Sequence, residues 1–419
     1  MTNLRQKISS LTKSKDARTV ASNFVWLSLL QVASYIFPLI TMPYLAHVIG
    51  VEGFGKIAFA MAIMVWIQTI ADWGFNLTAT RDVAQNRDNP EKVSEIFSNV
   101  LWARCLLMFV SLAVLLLLIT VIPAFREDWD VILVSFLIIP GHILFPDWFF
   151  QAVEKMKYLS ILNIITKLVF TIAVFIFIKE SEDYIIQPLL TSIGYLISGI
   201  IALYIIVYKW SMNIHRPEIG AIWTTIKGSS NVFINHLLPN LYNSFSTILL
   251  GIFGGGGAVG ILDGGNKFVS IGNQIIHTIE RAFYPFIARR LDKHHVYLMI
   301  NLSIASIIAL CLFLAAPLLV KTFLTPEFSD SVWILRIRAI SMIFYAISNA
   351  YGKNYILIKH QDKLLRQISV RCSIVGFVIA WPMVYYLGYI GASLTVTISI
   401  SLIAIYSYIE AHKLMANKQ

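Results

Sequence analysis

Long runs of apolar residues separated by short polar connectors dominate the chain. An α-helix rises about 1.5 Å per residue, so about 20 mostly apolar residues are needed to cross a hydrocarbon core of about 30 Å. Twelve runs reach that length, at residues 20–49, 57–77, 98–122, 131–150, 159–178 and 185–208, then 231–253, 259–284, 296–319, 332–358, 368–387 and 392–409. The pattern predicts an all-α polytopic membrane protein with twelve transmembrane helices in two six-helix lobes around a central cavity. The expected organisation is a basic tail (1–19), an N-terminal lobe (20–208), a linker (209–230), a C-terminal lobe (231–409) and a short tail (410–419).

Composition supports the same class. Apolar residue types make up 57% of the chain and charged ones only 13%, against roughly a quarter charged in soluble domains. There is too little polar surface for water, which sets aside a soluble enzyme, a disordered chain and a secreted disulfide scaffold. Cys105, Cys311 and Cys372 each sit in an apolar run without a CxxC partner, so zinc and disulfide chemistry are not expected.

The net charge of +10 would on a soluble protein raise nucleic acid as a partner. Here the connectors alternate in character: one side of the predicted membrane carries 20 Lys and Arg, the other only Arg126, Lys179 and Lys321. The positive-inside rule makes the rich side cytoplasmic, with both termini inside. No nucleic-acid partner is needed to explain the charge. The polar, charged stretch before residue 18 does not resemble a cleavable signal, and the first run has full span length. The far-side connectors are short, so activity is expected within the bilayer.

Each predicted half opens with a proline-interrupted span, at Pro38 and Pro43 and again at Pro239, and each of these spans ends in a glycine-rich turn, at 50–55 and 254–257. A proline removes a helical hydrogen bond and kinks the helix, and its recurrence in matching places is a mark of transporters built from repeats. The competing explanation is that proline is simply common in membrane helices. The four-glycine run lacks the Lys-Ser/Thr pair of a phosphate loop and reads as a flexible hairpin.

Ten basic residues fall within or at the edges of spans. A charge at the bilayer centre costs at least about 2.5–3.5 kcal/mol, so retained ones face a polar cavity or one another. In the eighth span Asp263, Lys267, Ser270, Gln274, His277 and Arg281 share one helical face. Arg104, Lys167, Arg338 and Lys353 add positive charge in the third, fifth and tenth spans. The candidate cargo-binding set is therefore Arg104, Lys167, Lys267, Arg281, Arg338 and Lys353. A positive cavity selects an anion, because Arg forks grip phosphate oxygens and Lys adds a point charge. The alternative is snorkelling to the headgroups, which suits Lys56, Arg336, Lys359 and Arg371 best, and Asp263 with Lys267 also fits a local i,i+4 pair. Asp72, Asp147, Asp263, Glu280 and His142 are candidates for H+ or Na+ coupling, or for capping and pairing. No cofactor or metal ligand set is visible. Trp66, Trp148 and Tyr242 are candidates for stacking on sugars or for the interfacial belt.

Several stretches carry a family resemblance: Phe37–Leu45 (Phe-Pro-Leu-Ile-Thr-Met-Pro-Tyr-Leu), Asp72–Thr80 (Asp-Trp-Gly-Phe-Asn-Leu-Thr-Ala-Thr), Asp147–Gln151 followed by Glu154–Tyr158 (Glu-Lys-Met-Lys-Tyr), Phe283–Pro285, and Ser348–Gly352. Over its whole length the chain resembles the Wzx-type O-antigen flippases of the polysaccharide transporter family, within the multidrug/oligosaccharidyl-lipid/polysaccharide exporter superfamily. The resemblance implies two six-helix lobes and alternating access in the bacterial inner membrane. It implies as cargo an undecaprenyl-pyrophosphate-linked oligosaccharide repeat unit, moved from the cytoplasmic to the periplasmic leaflet in lipopolysaccharide O-antigen biosynthesis. Membrane lipid, a polymerase and a chain-length regulator are the implied partners, and Arg104, Lys167 and Lys267 would meet the pyrophosphate and sugars. The alternatives are a drug or cation antiporter of the same superfamily, disfavoured by the basic spans, and a lipid II-type flippase. The expected protein is a transporter rather than an enzyme.

Overall fold

The computed structural model describes residues 15–416, which are helical apart from short connectors and contain no strand. The expected basic tail up to residue 14, and Lys418, lie outside the described residues. Ten helical stretches among the described residues are long and apolar enough to cross a membrane. Two of them are too long for one crossing. Ser244–Arg289 has 46 residues and Asp362–Ala416 has 55, about 69 and 82 Å at the helical rise, over twice the hydrocarbon thickness.

A glycine breaks each of these. Gly255 (φ 72°, ψ −176°) and Gly388 (φ 53°, ψ −132°) adopt backbone conformations that only glycine reaches without strain. Each long helix is thus two crossings joined by a one-residue hinge. The segment 244–254 continues from Ile219–Leu237 through the 3-10 turn Leu238–Leu241, where Pro239 sits. Counted this way the described residues make twelve crossings, in accord with the hydrophobic pattern. The expected linker 209–230 is shorter than the pattern indicated, because the helix begins at Ile219. Ile222 and Ile226, one turn apart, are buried in the N-terminal core beside Val93 and Phe97. The extra turns form because they have an apolar face to cover.

The glycine runs are seams as well as hinges. A Cβ built on Gly55 would stand 1.7 Å from the Gly256 carbonyl oxygen, and one on Gly260 would stand 2.2 Å from the Val51 carbonyl oxygen. The second and eighth spans therefore meet backbone to backbone where side chains are missing. The expected hairpin at 254–257 turns at the exposed Gly255, while Gly256 beyond the turn is packed against the second span. From this seam a core extends along the second span, with Phe59, Ile63 and Ile67 against Leu249, Leu250 and Val259. Farther along, Trp73 and Gly74 (φ 42° and 81°) turn the helix from Gly50–Asp72 into Phe75–Gln85. At that turn the Trp73 ring stacks on Phe233 with centroids 3.9 Å apart. One long helix thus holds the two halves together along its length.

Candidate functional site

The break between the halves leaves a central cavity of about 620 Å³, lined by residues of the first, second, fourth, fifth, sixth, seventh, eighth and tenth spans. Both halves contribute, so relative motion of the halves changes the cavity's shape. The expected residues Lys167, Lys267, Arg338 and Asp263 line it. Three cations against one carboxylate leave the wall positive.

These four are held differently. Lys267 Nζ lies 3.1 Å from Asp263 Oδ2, one helical turn away. Arg338 is 8% exposed; its Nε donates to Asn266 Oδ1 at 3.1 Å, while Nη1 has no partner. An amide carries no charge, so Arg338 keeps its full positive charge. Lys167, on Met156–Phe177, has no side-chain partner among the described residues. It shares a helical stripe with Asn163, Thr166 and Phe170, all of which line the cavity. Lys167 and Arg338 therefore offer unspent positive charge from opposite halves.

The remaining candidates lie elsewhere. Arg104 is buried inside the N-terminal half, with Nη2 only 2.5 Å from Asp72 Oδ1, and does not line the cavity. It faces a carboxylate because the second and third spans pack together there. Asp147 Oδ1 accepts from the Trp148 amide at 2.8 Å in the first turn of Asp147–Ala152. His142 stacks on Tyr195, with centroids 4.3 Å apart, so the cavity-lining Tyr195 comes between it and the open space. Arg281 Nε donates to His277 Nδ1 at 3.1 Å.

Lys353 and Glu280 pair at 3.2 Å outside the cavity lining, beside the π-helix Asn349–Leu357. A π-turn shifts the backbone pairing of the helix, and side chains of the ninth span meet the displaced carbonyls. His294 Nε2 lies 2.9 Å from the Ala350 oxygen, and Asn301 Nδ2 donates to the Ala346 oxygen at 3.3 Å. The aromatic candidates are also absent from the cavity wall. Trp148 is packed among Phe97 and Phe149, Trp66 abuts Phe245, and Tyr242 is buried.

Several cavity residues escaped attention in the sequence because they are uncharged. Gln187, Thr191, Tyr195 and Ser198 recur every three or four residues and line one wall. That spacing is readable in the sequence, but an uncharged stripe lacks the cost of a buried charge that marks a membrane residue as functional. Asn266 precedes Lys267 in the sequence, and the approach of Arg338 gives it a role.

With the geometry in place, comparison with known proteins is informative. The family model described as "Polysaccharide biosynthesis protein" matches residues 20–291. The chain belongs to this family. A protein of Escherichia coli (strain K12) named "Putative O-antigen transporter" is 29% identical over 382 residues, covering 89% of this chain and 92% of that one. A Shigella dysenteriae protein of the same name is 25% identical over 389 residues, covering 92% and 98%. Among solved structures, the lipid II flippase MurJ in an inward closed conformation superposes with a TM-score of 0.72 at 14% identity, covering 91% of this chain and 87% of that one. An outward-facing multidrug resistance MATE family transporter of the MOP superfamily gives 0.58 at 13% identity, covering 97% and 98%. This polysaccharide biosynthesis family member thus has the two-lobed fold shared by those structures.

Proposed function

We propose that this protein is a transporter that flips an undecaprenyl-pyrophosphate-linked oligosaccharide from the cytoplasmic to the periplasmic leaflet of the bacterial inner membrane. The reading rests most heavily on one observation: Lys167 and the free Nη1 of Arg338 bring uncompensated positive charge into one cavity from opposite halves. The barrier to flipping is the dehydration of a sugar chain and a pyrophosphate. A positive, polar cavity replaces water at the headgroup while the prenyl tail stays in lipid. A pyrophosphate gripped from both halves ties their relative motion to the cargo, which is what alternating access requires. The names of the two relatives support the same cargo class.

In this reading both termini are cytoplasmic, because the 20 basic connector residues lie on that side. Asp263, the one carboxylate lining the central cavity among the described residues, is the candidate group for H+ or Na+ coupling through its pairing with Lys267. A cation exporter is disfavoured by the same charge balance, since a cationic drug would meet three like charges.

The test is transport by the purified protein in proteoliposomes, read as the arrival of undecaprenyl-pyrophosphate-linked glycan in the opposite leaflet. Wild type should move it and a Lys167→Ala, Arg338→Ala double variant should not. Transport by the double variant at the wild-type rate would refute the reading.

A further inference from the structure

A second, smaller cavity of about 190 Å³ opens between the halves, lined by Val65, Gln68, Thr69, Asp72, Asn76 and His236, with Gly74 at its edge. Val65 also lines the central cavity, so the two spaces adjoin. Seven residues of helix, about 10 Å, separate Val65 from Asp72 along the second span toward the end that carries the basic loops.

The hydrogen-bonding state of this wall is unusual. Thr69 is used already, donating to the Val65 carbonyl at 2.7 Å and accepting from Asn240 Nδ2 at 2.8 Å. Gln68 and His236 have no side-chain hydrogen bond among the described residues, and Asn76 Oδ1 is buried without a partner. Asp72 commits Oδ1 to Arg104 and leaves Oδ2 over. The wall thus offers two amides, an imidazole and a carboxylate oxygen, a mixture of donors and acceptors. A hydroxyl is both donor and acceptor, so a ring bearing several of them satisfies such a wall, and with Asp72 paired to Arg104 the wall holds no unspent positive charge to draw a phosphate.

We infer that this annex is a subsite for one neutral, hydroxyl-rich sugar ring of the cargo, placed beyond the sugar next to the pyrophosphate. The inference rests on the flippase reading above. The volume is well under the about 300–1,000 Å³ of a typical ligand site and suits one ring rather than a chain. Asp72, Gln68, Asn76 and His236 touch the sugar. Arg104 is a positioning residue: buried behind Asp72, it fixes the carboxylate with Oδ2 available. An arginine that the sequence suggested for pyrophosphate thereby serves the glycan, through an acid.

The test uses the full-length protein in proteoliposomes with two probes, undecaprenyl pyrophosphate bearing a single N-acetylhexosamine and the same lipid bearing a tetrasaccharide. For Asn76→Ala, and separately for the exposed His236→Ala, the apparent KM for the tetrasaccharide lipid should rise up to about tenfold, the scale of one lost hydrogen bond. The kcat should hold, and the single-sugar lipid should be handled as by wild type. Equal losses on both lipids, or no change on either, would overturn the subsite while leaving the flippase reading in place. If wild type moves neither lipid, both fall together. Arg104→Lys should shift KM for the tetrasaccharide lipid alone, and an unchanged KM there would overturn its positioning role.

Discussion

Arg104 and Arg338 are both almost wholly buried, at 3% and 8% exposure, the first inside the N-terminal half and the second on the cavity wall of the C-terminal half. Arg104 faces a carboxylate at 2.5 Å, whereas Arg338 faces an amide at 3.1 Å, and each keeps a buried Nη1 without a partner. The first charge is neutralised by the fold, and the second is left for something that arrives. Burial does not separate the two cases; the charge of the partner does. The same criterion sorts the rest: Lys353 is taken by Glu280, Lys267 is shared with Asp263, and Lys167 is free.

The largest expected effect lies on the neutralised side. Arg104→Ala strands Asp72 and should destabilise the protein by about 3–5 kcal/mol, read as lost thermal stability in detergent. Replacing both partners, as Arg104→Met with Asp72→Leu, should recover most of that stability, because the isolated charge is gone. If the single variant is as stable as wild type, Arg104 does not belong to the structural class.

On the other side, Lys167→Ala or Arg338→Ala should leave thermal stability near wild type and lower transport by about 10- to 100-fold each. A hydrogen bond to a charged group is worth about 1.5–3 kcal/mol, and 1.4 kcal/mol is tenfold. A matching loss of stability would erase the distinction from Arg104. Asp263→Asn sharpens the intermediate case: by releasing Lys267 it should tighten binding of undecaprenyl pyrophosphate by up to about fivefold, the worth of a partly exposed pair. Weaker binding would show that Asp263 orients Lys267 rather than competing for it. The smallest effect belongs to Arg336, which lies over the Phe313 and Trp333 rings 5.3 and 5.4 Å away. Arg336→Ala should cost under about 1 kcal/mol and leave transport intact. Lost transport would place Arg336 with the cargo set.

Much of the fold was legible because a membrane span is a property of a local run of residues. The twelve crossings, the short glycine turns and the side rich in Lys and Arg follow from such runs. That Gly55 and Gly256 touch was not legible, since it depends on how the two halves meet. The candidate site was legible to the level of residue type. Lys167, Lys267 and Asp263 were chosen for charge inside a span, and they line the cavity. Arg104 was chosen on the same ground, but Asp72 lies 32 positions away in sequence, and no local pattern joins them. The annex residues Gln68, Asn76 and His236 are uncharged or sit at a span's edge, so a search for buried charge passes them by.

The most direct test of the central claim restores the charge chemically. In a Lys167→Cys variant with Cys105, Cys311 and Cys372 replaced by serine, a methanethiosulfonate bearing an ammonium group should label residue 167 from the aqueous phase and recover transport, whereas one bearing a sulfonate should label it without recovery. Transport by the unlabelled cysteine variant at the rate of the cysteine-free parent, or equal recovery with both reagents, would contradict a cargo held by positive charge in a wet cavity.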